Sequence, residues 1–148
     1  MEKYYTPTIE EFHIGFEFEK HDERHARYKE DEYKPTNWHK HKYNRDSIRL
    51  SQLDTHLHEK TIRVKHLDQE DIESLDWVYD VNYPFLKIDG DNTIGFSKAI
   101  DKFHYYRLIL RGKKVLIYVN SPDGDEGLFR GIIKNKSELI KLLKQLGI

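Results

Sequence analysis

The groups best suited to chemistry in this chain are its histidines and its closely spaced carboxylates. His21-Asp22-Glu23-Arg24-His25 sets two imidazoles four residues apart, which on a helix would share a face and reach one Zn²⁺. The spacing is that of a His-Glu-x-x-His zinc helix. Asp22 stands where that motif needs Glu, however, and no apolar stripe holds the segment as a buried helix. A solvated charged loop is the plainer reading of His21 and His25. His39-Lys40-His41 and His56-Leu57-His58 each space two imidazoles by two, an alignment that suits one side of a strand. Lys40 opposes a cation there, and neither pair brings third and fourth ligands, so exposed His on a polar face is the competing reading.

Glu17 and Glu19 alternate along one segment. Two carboxylates on one strand face can hold Mg²⁺ in a phosphodiesterase or nuclease, and alternation explains them equally well as the solvent side of a strand. Asp89-x-Asp91 and Asp123-x-Asp125 are read as turns, because neither continues to the bidentate Glu of a calcium loop. The chain has no phosphate loop, dinucleotide fingerprint, Gly-x-Ser-x-Gly elbow or paired His-x-Thr/Ser motif. No catalytic residue and no cofactor is assigned.

Tyr28, Tyr33, Trp38 and Tyr43 recur at five-residue intervals through an otherwise charged stretch, about 20–47. That interval fits neither helix nor strand. The region from Lys34 to Arg49 is locally basic, with Lys34, Lys40, Lys42, Arg45 and Arg49 against Asp46. Cations that neutralise phosphates, with aromatics that stack on unpaired bases, are the means by which single-stranded nucleic acid is held. Glu30, Asp31 and Glu32 lie beside them, and Tyr and Trp are enriched in protein interface hot spots. The preferred reading is a protein-contacting arm using Tyr28, Tyr33, Trp38, Lys40, Lys42 and Tyr43. Its rival is aromatics packed on their own domain.

The elements that must position these groups are bounded by composition. At 148 residues the chain has the size of a single domain with one core. With 25 Lys+Arg against 26 Asp+Glu, no overall field pulls it onto a polyanion. It has no cysteine, which excludes disulfides, thiolate zinc sites and a Cys nucleophile. The opening MEKYYTPTIEEF carries no apolar core of signal-peptide length and no apolar run spans a bilayer. A full-length cytoplasmic protein without membrane contact is expected. Hydrophobic residues make up 37% and aromatics 13%, so Tyr and Phe must carry much of the core.

Period-2 alternation of Ile14, Phe16 and Phe18 predicts a strand over His13–Glu19, and a short strand is expected around Trp38–Tyr43. Leu50, Leu53 and Leu57 suit a short helix, and Ile62–His66 reads as a strand. Asp68 is the clearest N-cap, with Leu67 and Ile72 spaced as a hydrophobic staple and the helix ending near Trp77. Strands are expected at 78–81, 85–88, 93–96, 103–110, 115–119 and 128–134, with turns at Asp89–Asn92 and Arg111–Lys114 and a polar loop at Ser121–Gly127. Both faces of the 103–119 hairpin are largely apolar or aromatic. Asn135 caps a final helix whose stripe of Leu139, Leu142, Leu143 and Leu146 ends at Gly147, and that stripe is expected to pack on the hairpin.

The two ends of the chain, Tyr4–Glu17 and Phe129–Leu139, resemble small uncharacterised accessory proteins of tailed phages and prophages. The resemblance is confined to these end segments and implies a compact protein acting in a bacterial cytoplasm on a host factor or defence component. Together these readings predict an α+β domain, mainly antiparallel sheet, with a short helix near 68–77 and an amphipathic helix at 136–146. The expected function is non-catalytic protein–protein interaction or self-association. The alternatives are a single-stranded nucleic-acid-binding protein and a metal-dependent phosphodiesterase using Glu17, Glu19 and nearby His.

Overall fold

The computed structural model describes residues 3–21, 38–44, 50–80 and 93–148. The chain separates into two compact units, Met1–His66 and Leu67–Ile148. Each has its own apolar cluster, where composition alone pointed to one core. Among the described residues two antiparallel sheets and three α-helices are formed, the α+β architecture that the patterning implies. None of these helices is long and apolar enough to cross a membrane.

The first unit holds β1 (Tyr4–Tyr5), β2 (Glu17–His21), β3 (Trp38–Lys42), α1 (Leu50–His58) and β4 (Ile62–Lys65), with sheet order β1-β4-β2-β3. Phe16, Phe18, Ile62 and Val64 turn inward to meet Leu53 and Tyr43, with Tyr5, Phe12 and Leu57 at the margin. This is the period-2 burial that the sequence carries. Ile14 departs from the expected strand: it sits in a turn, 69% exposed, before Gly15 at φ +88°. A residue in that left-handed conformation breaks the extended run, and pairing starts at Glu17. The 3₁₀ turn Ile9–Glu11 is fixed by a capping box between Thr8 and Glu11, and Tyr5 Oη donates to Glu11 Oε2 at 2.6 Å.

The second unit starts with α2 (Gln69–Glu73). The Asp68 carboxylate accepts from Asp71 N–H, as expected of that cap, and Ile72 is buried. The helix ends at Glu73 rather than near Trp77, because the chain turns through Asp76 at φ +64° and delivers Trp77 into the core. A five-stranded meander follows: β5 (Val78–Tyr79), β6 (Thr93–Ala99), β7 (Tyr105–Arg111), β8 (Lys114–Ser121) and β9 (Gly124–Ile132), each paired to the next. The strand expected at 85–88 and the turn at Asp89–Asn92 lie outside the described residues. Ser121–Gly127, expected as a polar loop, is instead mostly ladder. Ser121 Oγ donates to Gly124 O at 2.8 Å, and Asn120 donates to the Asp125 carboxylate. Backbone pairing with β8 holds these small polar residues extended where side-chain pattern alone gives no signal.

α3 (Lys136–Leu146) closes the unit. Asn135 Oδ1 accepts from Glu138 N–H at 3.0 Å, and Gly147 ends the helix in the left-handed conformation at φ +74°. Leu139 and Leu143 join Phe96, Leu108, Leu110, Val115 and Ile117 in one cluster, which also takes Ile72 and Trp77. Both helices therefore contribute to the same sheet face.

Candidate functional site

In the first unit, strand pairing gathers on the outward face several of the groups singled out by type. β2 and β3 pair Glu17 with Lys42, Glu19 with Lys40 and His21 with Trp38, while β2 and β4 pair Glu19 with Arg63. β1 pairs Tyr4 with Lys65. Residues two apart on a strand share a face, so these side chains form one field opposite Phe18 and Ile62.

Its centre is Arg63. The guanidinium carbon lies 3.8 Å from the Tyr4 ring centroid and 4.1 Å from that of Trp38. Its Nε and one terminal nitrogen both reach Glu19 Oε2 at 2.8 Å. The planar cation is thus stacked by two rings and anchored by a carboxylate, a combination lysine cannot reproduce. The Arg63 and Glu19 side chains are 27% and 16% exposed, so water screens the pair less than an ordinary surface ion pair. Lys42 Nζ meets Glu17 Oε1 at 3.0 Å in a much more exposed pair. Trp38 also stands edge-on to His21, centroids 5.3 Å apart.

The carboxylates weighed as Mg²⁺ ligands are thus each engaged by a cation, Glu17 by Lys42 and Glu19 by Arg63. Among the described residues no three His, Asp or Glu side chains are grouped to hold a metal ion. His21 lies in β2, where the helical spacing to His25 does not apply, and is 4% exposed; His25 is outside the described residues. His56 and His58 sit at the end of α1 rather than on a strand, so two-residue spacing points them apart. His56 is buried, with its Nδ1 3.0 Å from Thr61 Oγ1, while His58 is exposed.

His39 and His41 do share one side of β3, as the alternation implied. His41 stacks on Phe18 at 5.5 Å. Burial, and then the positive charges of Lys20 and His39, push its pKa below the usual histidine value.

Of the six residues expected to meet a partner, Trp38, Lys40 and Lys42 fall together on the outward face of β3. Tyr43 is taken out of that surface: it is 9% exposed and packs in the first unit's core. Tyr28 and Tyr33 lie outside the described residues, as do Lys34, Arg45 and Arg49. Tyr4 and Arg63 were not singled out by type. The alternation of Ile62-Arg63-Val64 signals that Arg63 faces outward, but only strand order reveals its neighbours. No family model, curated protein or solved structure matches the chain, and the site is therefore read from its own geometry.

Proposed function

We propose that this chain is a non-catalytic binding protein that engages another protein through the Tyr4–Arg63–Trp38 row. One observation carries the reading. A half-exposed Tyr, Arg and Trp, the residue types that dominate interface hot spots, are stacked in a fixed order on a sheet face. Their rotamers are held before any partner arrives, which lowers the ordering cost of association. Glu19 and Lys42 add charges of both signs around the row, a pattern that complements a protein surface better than a polyanion. The same stack ties β1 and β3 to β4, so it serves the fold as well.

The resemblance of the chain ends to tailed-phage accessory proteins supports a bacterial cytoplasmic setting, with a host or defence factor as the partner. Affinity capture from bacterial lysate with the wild-type chain and with Trp38→Ala tests the reading. The expected result is a protein retained by the wild type, lost on Trp38→Ala, and rebinding as a purified pair. Concentration-dependent dimerisation abolished by the same substitution would make a second copy the partner. Equal retention by both chains, or no specific retention together with a monomeric sizing profile, overturns the proposal.

A further inference from the structure

The second unit's sheet has one face in the core and one outside it. Phe96, Leu108, Leu110, Val115 and Ile117 belong to the buried cluster. The alternate residues of the two central strands point the other way: Tyr105, Arg107, Ile109 and Arg111 on β7, then Lys114, Leu116, Tyr118 and Asn120 on β8. The register aligns them in rows, with Arg107 beside Tyr118, Ile109 beside Leu116, and Arg111 beside Lys114. β9 adds Arg130 beside Leu116. Among the described residues, Ile109 and Leu116 join neither apolar cluster.

Charge on this face is uneven. At the Arg111–Lys114 turn, Lys113, Lys114 and Arg130 are exposed, and among the described residues they make no ion pair. Lys114 stands in register with Arg111. Towards the other end stand the rings. Tyr105 is held by Arg107, whose terminal nitrogen donates to its Oη at 3.1 Å and whose guanidinium lies 5.0 Å from its ring centroid. Tyr118 occupies the next row. Of the carboxylates nearby, Asp80 lies 3.8 Å from Arg107, and Asp125 accepts from Asn120. From Tyr105 to Arg111 the platform runs about 20 Å at the usual strand rise, enough for several nucleotides.

We infer that this face binds single-stranded nucleic acid, with bases stacking on Tyr105 and Tyr118 and phosphates meeting Lys114, Arg130 and Lys113. Aromatic rings and cations along one sheet face suit unpaired bases, whose faces are accessible, and not a duplex, whose faces are stacked. The chain's net charge of −1 supplies no long-range attraction, so the interaction is local and weakens steeply with salt.

Fluorescence anisotropy with a labelled oligo-dT and oligo-U of about 15 nucleotides tests this on the full chain. Binding is expected at low salt, with a log–log salt slope that falls by roughly 0.7 for each phosphate contact removed. Lys113→Gln/Lys114→Gln, on an exposed turn, should lower that slope, and Tyr105→Leu or Tyr118→Leu should weaken binding by about tenfold. Unchanged circular dichroism establishes that the variants remain folded. Trp38→Ala leaves oligonucleotide affinity unchanged, so failure here is distinguishable from failure of the protein-binding reading. Four outcomes overturn the inference: no binding at low salt, no dependence on salt, equal affinity for the Lys113/Lys114 variant, or tighter binding to a duplex of the same length.

Discussion

Both units lay one face of an antiparallel sheet on an apolar cluster, and they differ in what the other face carries. In the first unit the outward carboxylates meet cations, Glu19 with Arg63 and Glu17 with Lys42. In the second, Lys113, Lys114 and Arg130 are exposed without such partners among the described residues. Self-paired charge makes a stiff, mixed-sign surface suited to a partner of matching pattern. Unpaired charge of one sign makes a surface that recruits the opposite sign from solution. A nearly balanced whole-chain count, 25 against 26, hides this difference because it averages over both units.

The two tryptophans allow the comparison to be tested unit by unit, since Trp38 lies in the first and Trp77, 2% exposed, in the second. The largest effect is expected from Leu139→Ala. Leu139 is fully buried in the second cluster, and truncating such a leucine costs about 2–5 kcal/mol. In a Trp38→Phe background, urea unfolding followed by Trp77 fluorescence should show the loss. Leu53→Ala, equally buried in the first unit, should show its counterpart through Trp38 in a Trp77→Phe background. One transition shared by both reporters, moved alike by either leucine, would break the comparison.

Asn135→Ala should come next. Its side chain accepts from Glu138 N–H and is 2% exposed, so removing the cap should cost roughly 0.5–2 kcal/mol. Asn135→Asp should restore most of it, read by the same Trp77 transition. This helix was legible because each signal is local: an N-cap, a leucine stripe at helical spacing and a terminal glycine all lie within thirteen consecutive residues, Asn135–Gly147. The Tyr4–Arg63–Trp38 row was not legible, because its members come from β1, β4 and β3 and meet only through the order β1-β4-β2-β3. Local pattern fixes which side of a strand a residue takes, while strand order decides its neighbours. Tyr43 failed for a related reason: its five-residue spacing from Trp38 suggested a shared surface, but the residue past the end of β3 turns into the core.

Arg63→Lys should have a smaller effect on stability and a diagnostic one on shape. Lysine keeps the charge but loses the planar stack between Tyr4 and Trp38 and the two-nitrogen grip on Glu19. A loss of about 0.5–1 kcal/mol is expected, with a change in the near-ultraviolet dichroism of Trp38 measured in the Trp77→Phe background. An unchanged spectrum and unchanged stability would show that the stack does not order the face.

The smallest effect separates the units by acid. In the first, the fold lowers the pKa of His41 from 6.5, chiefly by burial and then by Lys20 and His39. In the second, Asp101 is lowered from 3.8, chiefly by Phe103 N–H and then by the His104 side chain. Both groups take up a proton more readily in the unfolded chain, so each contributes stability above its unfolded pKa that is lost as pH falls through its folded value. The windows differ because the unfolded values differ. Between about pH 7.5 and 5, His41→Gln should flatten the decline reported by Trp38, and Asp101→Asn should leave the Trp77 transition's pH slope unchanged. Below the Asp101 reference of 3.8 the order reverses, and Asp101→Asn then removes a loss that the wild type suffers. If His41→Gln instead steepened the decline in the upper window, the imidazolium would be the form that the fold favours, and the electrostatic reading of the first unit's sheet would be wrong in sign.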